Sequence, residues 1–185
     1  TPSPKMVLRL FVFLFIFRYF LSFASIVWLN FTLMFTTVSV MPFIMQNQIG
    51  MTSDQYAMWA LIPAFGMICG TSICNRVRPI IGTKKMLLVT PILHVSSAAW
   101  LFFCPVEPLY LMLGQLLMIL GNAIALPCAQ AMVMQPYKKQ AGAAAAMSGG
   151  GQMVLSSIVS MALVQLGLSQ AWHLSLVIVV FATIT

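Results

Sequence analysis

Asn30, Gln115, Asn122, Gln130 and Gln152 stand inside long apolar stretches of this chain. A carboxamide brings both a donor and an acceptor to satisfy. In apolar surroundings such groups are costly, so they either tie neighbouring helices together or meet a polar solute. Their spacing is helical: Gln115, Asn122, Leu126 and Gln130 fall within an arc of about 80° at ~100° per residue. Asn30 shares a face with Met34, Thr37 and Met41, and Gln152 with Ser156. The Ser and Thr residues read as hydrogen-bonding glue. Asn30 and Asn122, each near the middle of its stretch, read as solute-facing. Phe31, Met34, Phe35, Trp59 and Met153 offer a soft wall, since thioethers repack and rings stack or attract cations. With 15 Met and 13 Phe in the chain, most such residues face lipid or neighbours.

Charge is missing from the same stretches. No Asp, Glu, Lys or Arg lies in the second to fifth of them, so no carboxylate sits there to carry a proton. His94 is a lone imidazole, a residue more often packed and hydrogen-bonded than a relay. The four cysteines, Cys69, Cys74, Cys104 and Cys128, form no C-x-x-C pair, and neither a disulfide framework nor a metal site is expected. An embedded enzyme would need clustered His, Asp, Glu or Cys. Both acidic residues, Asp54 and Glu107, stand on separate connections, so the chain does not read as an enzyme.

The elements that position these residues follow from composition. Hydrophobic residues make up 61% of the 185 positions and charged residues 6%, against about 25% charged in a soluble domain. Lipid is the solvent that fits. The net charge of +7 comes from nine Lys and Arg scattered singly or in pairs, which excludes the basic stripe of a nucleic-acid binder. Six apolar stretches read as transmembrane helices of an all-α, polytopic membrane protein: about 18–45, 56–74, 86–103, 109–134, 143–166 and 172–185. Residues 1–17 read as a cytoplasmic or interfacial segment. The last stretch has 14 residues, about 21 Å of helix against a ~30 Å hydrocarbon core. It reads as truncated, and a chain opening Thr1-Pro2-Ser3-Pro4 reads as part of a longer one.

All nine basic residues fall before the first span or in alternate connections, and both acidic residues in the others. By the positive-inside rule this predicts a multi-pass protein of the inner (plasma) membrane with both ends cytoplasmic. The connection after the second span carries Gly70, Asn75, Arg76, Gly82, Lys84 and Lys85. Gly70 permits close helix contact, Asn75 and Arg76 are expected to cap the helix end, and Gly82 permits a tight turn.

This connection resembles the second copy of the signature loop of the major facilitator superfamily: glycine, Asp or Asn followed by Arg, then glycine and basic residues. Asn75 stands where Asp is frequent, and one extra residue separates it from Gly70. The stretch Gly121-Asn122 to Pro127, then Ala141-Gly142 through Gly151-Gln152, is similar to the tenth and eleventh helices of bicyclomycin-resistance-type multidrug exporters. Tyr56 to Gly66 resembles their eighth helix. The resemblance covers essentially the whole chain and implies the carboxyl-terminal six-helix half of a major facilitator fold. It implies export of a small amphipathic compound by alternating access, driven by a proton gradient, with no other cofactor. Its partners would be the bilayer, a missing amino-terminal six-helix half and the solute, with the proton-binding carboxylate in that other half. Spans one, two, four and five would line the cavity. Substrate contacts would then fall to Asn30, Met34, Thr37, Trp59, Gln115, Asn122, Gln130 and Gln152. An uptake carrier of the same fold and a non-transporting membrane scaffold are the alternatives.

Overall fold

In the computed structural model, which describes residues 18–165 and 171–184, the regular elements are all helical. The segment 1–17 with Lys5 and Arg9, and the connection between the last two spans, lie outside the described residues. Helix α1 (Arg18–Phe43) carries Pro42 in its last turn and passes into a π-helical turn, Ile44–Gln48. After Gly50, at φ +78°, Thr52 opens α2 (Ser53–Trp59) with a reciprocal cap: the Gln55 backbone N–H donates to Thr52 Oγ1 at 3.3 Å and the Thr52 N–H to Gln55 Oε1 at 3.1 Å. Beyond Ala60 the chain continues as α3 (Leu61–Ile81). Then follow α4 (Thr83–Phe103), α5 (Pro108–Met134), a 3₁₀ segment (Gln135–Gln140), α6 (Ala141–Gln165) and α7 (Ala171–Ile184).

Prolines inside these helices need their lost hydrogen bonds replaced. Pro91 leaves the Leu87 carbonyl without its N–H partner, and the Thr90 hydroxyl donates to that oxygen at 2.8 Å. Pro108 sits at the first turn of α5, where no N–H is required.

The expected second span ended at residue 74, with Asn75 and Arg76 as its cap. The helix instead runs on to Ile81, with Asn75 and Arg76 exposed on its flank. The reason is physical: polar residues mark where lipid ends, whereas a helix ends where its backbone can no longer continue. That point is Gly82, at φ 86° and ψ 154°, a region essentially closed to other residues. A Cβ at Gly82 would meet nothing within 4 Å, so the cost of replacing it is conformational alone. Gly82→Ala is expected to lower stability by about 1 kcal/mol, read as a fall in the thermal midpoint in detergent; an unchanged midpoint would show that this turn relaxes freely.

Helix α5 lies at the centre. It packs along α1, α3 and α4, while α6 packs along α1 and α7 along α4. Exchanging α1, α3 and α4 for α5, α6 and α7 reproduces four of these five pairings. The α1–α5 and α4–α7 contacts map onto themselves and α3–α5 maps onto α6–α1; only α4–α5 has a slight counterpart in α7–α1.

Two apolar clusters define the ends. One joins Phe20, Ala24 and Val27 of α1 to Ala129 and Val133 of α5, Tyr137, and Ala144 and Met147 of α6, with Leu87 of α4 against it. The other joins Leu33, Met41 and Met45 to Leu101, Leu111 and Met118, with Tyr56 and Trp59 against it. The start of α1, the α3–α4 turn and the α5–α6 link therefore share one end, which carries Arg76, Lys84, Lys85 and Lys138. Asp54 and Glu107 stand at the other end.

Large apolar side chains cover the outer faces of the helices, and polar ones are buried beside the apolar clusters. Leu61, Phe65 and Ile68 of α3, Leu88 and Ile92 of α4, and Val154, Ile158 and Met161 of α6 are exposed, whereas Asn30, Thr32, Thr37, Thr90, His94, Ser97, Gln115 and Asn122 are buried. Four helical stretches, Tyr19–Gln48, Ser53–Ile81, Thr83–Phe103 and Pro108–Lys138, are long and apolar enough to cross a membrane.

Candidate functional site

The α1–α5 seam holds the two asparagines. On α1, Val27 belongs to the cluster at the basic end and Leu33 to the opposite one; on α5, Ala129 and Met118 divide in the same way. Asn30 and Asn122 thus lie between the clusters at one level, 2% and 1% exposed. Each uses its amide nitrogen on its own helix. Asn30 Nδ2 donates to the Ile26 carbonyl at 2.8 Å. Asn122 Nδ2 donates to the Met118 carbonyl at 3.3 Å and to the Met118 Sδ at 2.8 Å. Their Oδ1 atoms have no hydrogen-bond partner within the protein, and neither does Oε1 of Gln115, two turns from Asn122.

His94 of α4 reaches the same level. The Met118 backbone is its hydrogen-bonding neighbour, and its Nε2 is also unpartnered. Gly121 makes room for the ring, since a Cβ there would stand 2.8 Å from Nε2. Three unpartnered amide oxygens and an imidazole nitrogen thus gather in the middle of the bundle, with the unpartnered Thr36 hydroxyl further along α1. Each orphan acceptor costs on the order of 1–3 kcal/mol. A solute presenting N–H groups, O–H groups or positive charge would satisfy them, whereas no carboxylate stands among them to exchange a proton.

The other expected contacts are distributed differently. Thr37 is fully buried, and its hydroxyl donates to the Leu33 carbonyl at 2.8 Å. Gln130 belongs to a chain across three helices: Ser148 Oγ donates to Gln130 Oε1 at 2.9 Å, and Trp28 Nε1 donates to the Ser148 carbonyl at 2.9 Å. Met34 and Gln152 are half-buried on α1 and α6, and Trp59 packs against the cluster at the acidic end. Phe31 and Phe35 stack at 6.4 Å, and Phe35 and Met153 are exposed. Of the loop residues, Gly70 lies within α3 against Ala123 and Leu120, while Lys84 and Lys85 are exposed on the first turn of α4.

Trp28 is the residue that sequence reading passed over. It lines a 460 Å³ cleft with Met147, Gly150, Gly151, Val154 and Leu155 between α1 and α6. A second cleft, of 510 Å³, lies at the far end of α4 beside Trp100, Phe103 and Tyr110. None of the eight expected substrate contacts lines either cleft. No spacing in the sequence singles Trp28 out, since its hydrogen-bond partner Ser148 lies 120 residues away.

Taken together, the chain is an all-helical protein with a polar interior seam, and its four long apolar helices point to membrane association. No protein-family model, curated protein or solved structure matches it.

Proposed function

We propose that this chain is one six-helix half of a secondary transporter of the major facilitator type, exporting small amphipathic compounds in exchange for protons. The supporting observation is the helix packing that survives exchange of the first three long helices for the last three, with buried amides at the α1–α5 contact about which the exchange turns. Internal repeats with a solute site near the midplane at their interface are the architecture of such carriers. The basic end is cytoplasmic in this reading, with both chain ends on that side of the inner membrane.

Two six-helix halves rock about the central site, and opening along α1 and α5 presents the orphan oxygens of Asn30, Gln115 and Asn122 to the N–H or cationic groups of the solute. Aromatic and thioether side chains on the exposed faces, Phe35 and Met153 among them, receive its apolar part. Proton binding falls to a carboxylate in the other half.

The test is accumulation of a fluorescent lipophilic cation in cells expressing the complete reading frame. Efflux predicts reduced accumulation, and Asn122→Leu should abolish most of that reduction. The same substitution removes an unsatisfied polar group, so stability should be unchanged or raised by about 1 kcal/mol. Unchanged accumulation with the intact gene would refute export, and increased accumulation would indicate uptake.

A further inference from the structure

Three sulfur-bearing side chains from three helices meet near the basic end. Cys74 of α3 and Cys128 of α5 are fully buried with their Sγ atoms 3.6 Å apart, and Met86 of α4 packs in the same small cluster at 3% exposure. Beyond this mutual contact, Cys74 Sγ donates a long hydrogen bond to the Ile124 carbonyl at 4.0 Å.

We propose that Cys74, Cys128 and Met86 form a buried site for a soft monovalent cation, Cu(I) or Ag(I). A metal about 2.3 Å from each thiolate would subtend an S–M–S angle of about 103° across the 3.6 Å gap. That angle excludes a linear pair and falls short of the ~120° of three-coordination, which at the same bond length needs the sulfurs about 4.0 Å apart, so the thiols part by about 0.4 Å when a thioether completes the set. Zinc requires four N, S or O ligands, and among the described residues no group of three His, Cys, Asp or Glu comes together. Thiolate and thioether ligands select Cu(I) instead.

Binding exchanges two S–H protons for one cation: M⁺ and two thiols give a bis-thiolate complex of charge −1 and release two protons, with no change of oxidation state. Arg78, half-buried one turn beyond Cys74 on α3, supplies a positive charge on the same side of that helix. Cys74 lies eight residues before Gly82, about 12 Å along the helix, which makes the basic end the nearer one. Once bound, the cation fastens α3, α4 and α5 together there.

The experiment is an anaerobic, chloride-free Ag(I) titration of the detergent-solubilised protein against a chromophoric chelator. It uses a Cys69→Ser/Cys104→Ser background, in which Cys74 and Cys128 are the remaining cysteines of this chain. The expected result is one tight Ag(I) per chain. Adding Cys74→Ser or Cys128→Ser should weaken it by about 100-fold and Met86→Leu by about 10-fold, matching or exceeding the 10–100-fold cost of losing an outer-shell partner. Equal affinity in the background and either Ser variant, or two independent silvers per chain, would overturn the site. Should a Ser variant misfold, proton release from the unmutated pair decides: one equivalent of Ag(I) should release two protons per chain in weakly buffered detergent solution, and no release would refute the proposal.

Discussion

Gly70→Ala will destabilise the bundle by about 2 kcal/mol, and Gly70→Leu by about 3 kcal/mol or more. A Cβ at this position would stand 2.7 Å from the Cβ of Ala123, 3.1 Å from the Leu120 carbonyl oxygen and 3.4 Å from the Leu120 Cα. Two of these are backbone atoms of α5, which cannot swing aside as a side-chain tip can. The helices must therefore separate, and dispersion contacts along the α3–α5 seam are lost with them. Ala123→Gly removes the nearest obstacle, so the double variant should recover roughly half of the loss, read as the thermal midpoint of the purified protein in detergent. A Gly70→Ala variant as stable as the parent would mean that α3 and α5 are not in close contact.

The second large effect falls on the exchange-related seam, between α1 and α6. A Cβ on Gly151 would overlap the Trp28 indole, the ring whose Nε1 donates to the Ser148 carbonyl at 2.9 Å. Gly151→Ala must displace that ring and break the bond that ties α1 to α6. Overpacking and the lost hydrogen bond together should cost about 2–3 kcal/mol. The neighbouring residue supplies the control. Gly150 has open space where its Cβ would be, so Gly150→Ala should be neutral or stabilising by up to ~1 kcal/mol through helix propensity. If Gly150→Ala and Gly151→Ala shift the midpoint alike, the placement of Trp28 in this slot is wrong.

These two glycines show how much of the arrangement is legible in the residues alone. Apolar runs separated by polar breaks announced the helices, because period and length are local properties that the solvent selects. The shared face of Gln115 and Asn122 was legible for the same reason, since spacing by two turns fixes direction on one helix. Pairing between helices is not local. Gly149, Gly150 and Gly151 are equivalent in the sequence, yet one of them holds the tryptophan of a helix more than a hundred residues away. The end of α3 is not legible because charge at Arg76 and Arg78 marks the edge of the lipid and not the end of the helix; α2 and α3 together, 29 residues from Ser53 to Ile81, are longer than a crossing needs. Asn30 and Asn122 were expected to face solute; in this structure they lie closed within the α1–α5 contact, a consequence of side-chain packing that no periodicity displays.

The account rests on a bilayer-embedded bundle whose basic end faces the cytoplasm. Cysteine labelling tests this most directly, with single cysteines introduced as Asp54→Cys and Lys84→Cys in a cysteine-free form of the complete protein. A membrane-impermeant maleimide applied to intact cells should react with the Asp54→Cys variant and reach the Lys84→Cys variant only after permeabilisation. Labelling of the Lys84→Cys variant from outside intact cells would contradict the account.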